Sequence, residues 1–154
     1  MLTIQNIISD FTFINTLTGN SESFHNIEIF SGHGNFCDLY FVSKNKEVKK
    51  EQIDTYNKFK QNFKDYLPKI EHKILNSLTN SEMNKEDEIK NSILYFDVIQ
   101  IPQDNLKYDL VLVCSKTYKK LFFINKTIIL RVEFKNENIV SIQRSTDSTK
   151  ENNE

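Results

Sequence analysis

The sequence predicts an α+β fold: an N-terminal β-hairpin, then two consecutive helices on one face of a mostly antiparallel sheet, which a C-terminal β-meander completes. Three observations carry this expectation. Within residues 51–78, Ile53, Tyr56, Phe59, Phe63, Tyr66, Ile70, Ile74 and Leu78 recur at steps of three and four, the spacing of one helix face. From residue 93 onward the pattern changes to period two in a β-rich composition. The links between these later runs are short, whereas parallel neighbours need a crossover of about a dozen residues or more.

In chain order, residues 1–23 are mixed: Leu2, Ile4, Ile7, Ile8, Phe11 and Phe13 can pack, a strand is expected near 10–16, and Thr18, Gly19, Asn20 and Ser21 form a turn cluster. Residues 24–31 and 36–43 flank Gly32-His33-Gly34-Asn35 and read as a hairpin whose loop glycines supply positive φ. In its second strand Cys37, Leu39 and Phe41 alternate with Asp38 and Tyr40, which points the first three inward. Pro68 interrupts the helical stripe, and an interior proline removes a hydrogen bond and clashes with the preceding turn. Asp65 can cap a new helix, so two helices are expected at about 50–63 and 66–78, with one kinked helix as the alternative. Residues 79–92 are polar apart from Met83 and Ile89 and read as a surface linker with one helical turn. Strands are expected at 93–101, 108–115, 120–124, 127–134 and 138–143, separated by 102–107, 116–119, Asn125-Lys126 and 135–138. Residues 110–114 are apolar on both faces and should be central. One domain is expected over 1–143, and 144–154, with no apolar residue, read as a disordered tail.

Composition narrows the function classes. A chain of 154 residues with 38% hydrophobic content can build a core without disulfide or metal. The formal net charge of -1 gives no global field for nucleic acid. Charge is nonetheless blocked: -4 over 1–43, +4 over 44–73, -4 over 79–109 and +5 over 116–135. Lys outnumbers Arg eighteen to two and alanine is absent, a compositional bias rather than chemistry. Two cysteines, and no basic-then-apolar N-terminal segment, point to a reduced cytoplasm. The apolar runs are too short to span a bilayer.

Reactive sites are not assembled in the sequence. His33 and Cys37 stand four apart with Cys114 and His25 remote, so no metal-ligand spacing exists, and the cysteines read as small core residues. Cys114-Ser115-Lys116 lies at an expected strand end without a nucleophile motif around it. His72 sits on the wet side of a helix and His25 on a strand. Three glycines in all exclude the phosphate-cradling loops, and no cofactor is expected. Glu86, Asp87 and Glu88 fall in the polar linker, the wrong setting for raising a carboxyl pKa by burial. Lys116, Tyr118, Lys119, Lys120, Phe122 and Phe123 interleave bases with aromatics, which can stack single-stranded nucleic acid. The blander reading is an amphipathic hairpin strand, with Leu121 and Phe123 inward against Leu130 and Ile128 across an Asn125-Lys126 turn.

Several segments together resemble a known group: Gly34 before strand 36–43, Glu51-Gln52 opening a helix with Tyr56 and Phe59, then Ile70, Ile74 and Leu78. The last is Arg131-Val132-Glu133-Phe134-Lys135-Asn136-Glu137-Asn138-Ile139. The pattern is similar to a group of uncharacterised bacterial domains with a Q-x-x-x-Y-x-x-F helix and an R-V-E-F-x-N-x-x-I strand, and it covers 34–142. Those domains resemble the small cytoplasmic immunity proteins encoded beside polymorphic toxins. The resemblance implies a non-enzymatic protein that binds and blocks one cognate toxin; its motifs are packing motifs and imply no reactive residue. On that expectation the acidic blocks, with Asp38, Glu86, Asp87 and Glu88, face a basic partner. The alternative is a small-ligand or nucleic-acid module using Lys116, Lys119, Lys120 and Arg131 on the basic strands 116–135. An enzyme requires the fold to bring Cys37 or Cys114 against a histidine in a cleft.

Overall fold

The computed structural model describes residues 1–15, 22–30, 36–121 and 124–145. Its elements are α1 (Ile4–Asp10), β1 (Thr12–Asn15), β2 (Glu22–Glu28), β3 (Cys37–Ser43), α2 (Lys50–Asn76), α3 (Asn80–Met83), α4 (Glu86–Asn91), β4 (Tyr95–Ile101), β5 (Leu110–Leu121), β6 (Ile124–Lys135) and β7 (Asn138–Arg144). The fold is α+β, and the seven strands lie in sequence order across one sheet. Every neighbouring pair is antiparallel except β3 with β4. Between those two the chain leaves the sheet to build α2, α3 and α4, the crossover that parallel strands require.

α2 is a single helix of 27 residues with Pro68 inside it, not two helices. The carbonyl that loses its donor belongs to Lys64, and both Lys64 and Pro68 are exposed, so the missing bond falls on the solvent side of the helix, where it costs least. Meanwhile Tyr56, Phe59, Ile70 and Ile74 continue one buried stripe across the proline. Packing holds the two halves in line, and Asp65 caps nothing. At the helix start Gln52 Oε1 accepts the Lys49 N–H at 2.9 Å, half of a capping box. Its amide meanwhile donates to Val42 O at 2.9 Å and Ile101 O at 3.0 Å. Buried Gln52 thereby closes the end of the parallel pair, where both strands would otherwise leave carbonyls unpaired.

The rings of that stripe meet the sheet directly. Phe59 lies 5.4 Å from Phe134 and 6.3 Å from Phe96, and Tyr56 and Phe41 are 5.9 Å apart, all with edge or tilted geometry suited to aromatic pairs. Tyr56 Oη is buried without a partner in good hydrogen-bonding geometry; burial first, and then the neighbouring Glu28 carboxylate, pushes the phenol above its ordinary range. The core is continuous from Ile7 to Phe134.

α1 was not expected. Thr3 and Asn6 cap it reciprocally, Asn6 N–H donating to Thr3 Oγ1 at 3.2 Å and Thr3 N–H to Asn6 Oδ1 at 3.0 Å. Asn57 then ties Leu2 to α2 through both backbone groups at 2.9 Å. β1 answers the strand expected near 10–16, and β2 pairs with β3 as the expected hairpin. The turn cluster at 18–21 and the loop at 32–35 lie outside the described residues.

The meander differs from expectation in register. Residues 116–119 are not a connection; β5 runs unbroken through them. Asn125 and Lys126 are not a turn but belong to β6, opposite Lys119 and Tyr118. Leu121 pairs with Ile124, while Ile128 and Leu130 face Lys116 and Cys114; Phe122 and Phe123 lie outside the described residues. The cause is Lys116, an inward-pointing lysine where hydropathy reads a break. Residues 79–92, expected as a linker with one turn, hold α3 and α4. Arg144, expected to open a tail, is the last residue of β7, and 146–154 lie outside the described residues.

Candidate functional site

Strand alternation sends every second side chain to each side of the sheet. On β3, Cys37, Leu39 and Phe41 are buried towards the helices, and Asp38, Tyr40 and Val42 point the other way. Helix residues reach only the first side: Tyr56 and Phe11 meet Phe41, Phe59 meets Phe134, and Lys116 meets α4. The opposite side carries no helix among the described residues, and it is seven strands wide.

Register assembles two rows there. One runs His25, Tyr40, Gln100, Val111, Glu133 and Ser141; the other runs Ile27, Asp38, Val98, Val113, Arg131 and Gln143. His25 Nε2 lies 2.8 Å from Asp38 Oδ1, and its ring packs 4.7 Å from that of Tyr40. Burial, and secondarily Asp38, raises the Tyr40 phenol above its ordinary range. Arg131 Nε donates to Glu133 at 3.0 Å while its guanidinium sits 5.5 Å over the Tyr108 ring. At the bulge between Phe96 and Val98, Asp97 receives a hydrogen bond from Ser115, yet burial dominates and raises its carboxyl above the ordinary range. At one margin of this face Ile27 is 54% exposed, with Ile29 and Phe36 beyond it at 63% and 70%.

The residues expected to bind a basic partner are not brought together. Asp38 lies on the helix-free face, whereas Glu86, Asp87 and Glu88 form the first turn of α4 on the other side. Glu88 is engaged locally: it accepts the Lys119 N–H at 2.7 Å, a bond that, ahead of its Lys85 neighbour, holds the carboxyl below its ordinary range.

The alternative anionic-ligand set is divided in the same way. Lys116 is fully buried on the helix side, where Nζ donates to Ile89 O at 3.0 Å and Lys90 O at 3.2 Å and meets Glu71 at 2.7 Å. It caps the C-terminal end of α4 instead of presenting charge. Arg131 lies on the opposite face, already paired. Lys119 and Lys120 alone are exposed.

Both thiols are core groups. Cys37 and Cys114 are buried, and burial first, with nearby carboxylates second, pushes each up to about 12. Of the described histidines, His25 holds Asp38, and exposed His72 lies 2.7 Å from Asn76. No group of three or more His, Cys, Asp or Glu able to hold a metal occurs among the described residues, and no helix among them is long and apolar enough to cross a membrane.

No family model, no curated protein and no solved structure matches this chain. The surface therefore speaks for itself. Of its residues Asp38 and Arg131 were expected in a site, each in a different one, whereas Tyr40, Val98, Tyr108, Val113 and Glu133 were not, because each is unremarkable in isolation. Their one sequence signal is the outward half of each strand's alternation, which reads as solvent-facing until the register shows it to be continuous.

Proposed function

We propose that this chain is a non-enzymatic protein-binding domain that docks a folded partner on the helix-free face of its sheet, as a toxin-neutralising immunity protein does. The observation that carries this reading is the make-up of the face. Tyrosines and an arginine held over a ring, the residue types that anchor protein interfaces, stand among the half-buried Val98 and Val113. Exposed Ile27, Ile29 and Phe36 add apolar area at its margin. Most of these side chains sit on strands, so little order has to be imposed when a partner arrives. The further assignment to immunity rests on the sequence resemblance.

The test is capture of the product of the adjacent gene by the purified chain, followed by that product's own activity assay. Binding with loss of toxicity supports the reading. Tyr40→Ala and Arg131→Ala each weaken capture by at least about tenfold if the face is used. Failure to bind or protect, or binding that both substitutions leave unchanged, overturns it.

A further inference from the structure

A second surface lies on the helix side, between the first half of α2 and the β6–β7 turn, as a groove of about 340 Å³. Its floor is aromatic. Phe59 stacks on Tyr66 at 5.9 Å, and Phe134 meets both edge-on, at 5.4 Å and 4.9 Å. Around the rim stand Glu51, Asp54, Asp109 and Glu137, with Lys58 as the one cationic lining residue. Two of the four carboxylates are already matched: Lys58 holds Glu137 at 2.5 Å, and Lys135 holds Asp109 at 2.6 Å. Glu51 and Asp54 form no ion pair among the described residues. The rim is braced where Tyr66 Oη donates to Glu137 O at 3.0 Å and Asn136 N–H to Asp109 at 2.8 Å.

We infer that this groove receives a Lys or Arg side chain from a basic segment of a partner protein. Two properties select that occupant. The volume lies at the small end of ligand clefts, roughly 300–1,000 Å³, which suits a long side chain better than a cofactor. An apolar floor beneath an acidic rim on which Glu51 and Asp54 hold no ion pair among the described residues complements a side chain with a hydrocarbon stem and a cationic head, the stem lying over the rings and the head remaining among the carboxylates. The inference rests on the reading of the chain as a protein-binding domain and supplies a charge-selective contact for it.

The probe is a fluorescein-labelled, Gly-spaced peptide rich in Arg and Lys, titrated into the full chain by anisotropy, with amide shifts followed by NMR. The expected result is saturable binding with shifts confined to residues of α2 around 51–66 and to 134–137. The double substitution Glu51→Gln with Asp54→Asn weakens binding by about tenfold or more, while Glu86→Gln with Asp87→Asn, the same charge change on α4, alters it less than about twofold. Tyr40→Ala leaves this titration unchanged, so failure here is distinguishable from failure of the helix-free face. Absence of binding, equal effects of the two double substitutions, or shifts elsewhere would overturn the inference.

Discussion

Glu82 lies near the end of α3, and Arg144 ends β7. Arg144 grips both carboxylate oxygens, Nη2 to Oε1 at 2.5 Å and Nη1 to Oε2 at 2.8 Å, and Nη1 also donates to Ser77 O at 2.7 Å. Glu82 is 5% exposed, and it further accepts the Thr79 N–H at 2.8 Å and the Tyr118 hydroxyl at 3.2 Å. Arg144 is the largest influence, opposed by burial and assisted by Thr79, and the carboxyl falls from its ordinary 4.5 to about 2. At about 1.4 kcal/mol per pH unit, that difference is worth about 3 kcal/mol of stability. The folded-state value is the lower one, so this stabilisation is complete above pH 4.5 and is lost as pH falls towards 2. Glu82→Gln keeps the shape and removes the charge. The expected loss is about 3 kcal/mol at pH 7, in keeping with about 3–5 kcal/mol for a buried pair deprived of one member. Urea unfolding followed by circular dichroism at stepped pH measures it. The gap between native and variant should close as pH falls from 5 to about 2. A gap that stays constant across that range, or one below about 1 kcal/mol at neutral pH, would refute the reasoning.

Three other outcomes are expected. Pro68→Ala restores a donor to the exposed Lys64 carbonyl within an unbroken α2 and should stabilise the chain by about 1–3 kcal/mol, seen as a raised thermal midpoint; a lowered midpoint would mean that the proline starts a helix. Lys116→Met keeps the buried stem but removes the donor of the Lys90 carbonyl, while Ile89 O keeps the Ser92 hydroxyl at 2.8 Å, and it leaves Glu71 without its cation, costing about 2–3 kcal/mol in urea unfolding; an unchanged midpoint would deny the cap. Cys37 and Cys114, with thiols held near 12, should resist iodoacetamide at pH 8 until the chain is unfolded, and alkylation of the native protein at the rate of free cysteine would contradict their burial.

Fold class, helix face and the antiparallel meander were legible in the sequence because each follows from local rules. The stripe from Ile53 to Ile74 has helical period, the strands alternate, and their connections are too short for crossovers. The inward set Cys37, Leu39 and Phe41 is buried as alternation requires. Lys116 and Glu82 are where local rules misled. Hydropathy places both in loops, and each is buried because its partner arrives from elsewhere in the chain, Glu71 from α2 and Arg144 from β7. Ion pairs of that kind have no periodicity, so no window of sequence contains them.

What the sequence by itself determined was therefore the class of fold and the apolar faces of α2 and β3, since those are set by side chains only a few residues apart. The tertiary structure alone decided that β3 and β4 run parallel, that Gln52 closes their ends, and that His25, Tyr40, Val113 and Arg131 share one face that carries no helix among the described residues. The physical reason is separation: each of these depends on strands or helices far apart in the chain meeting in a single register, and register is a property of the assembled sheet.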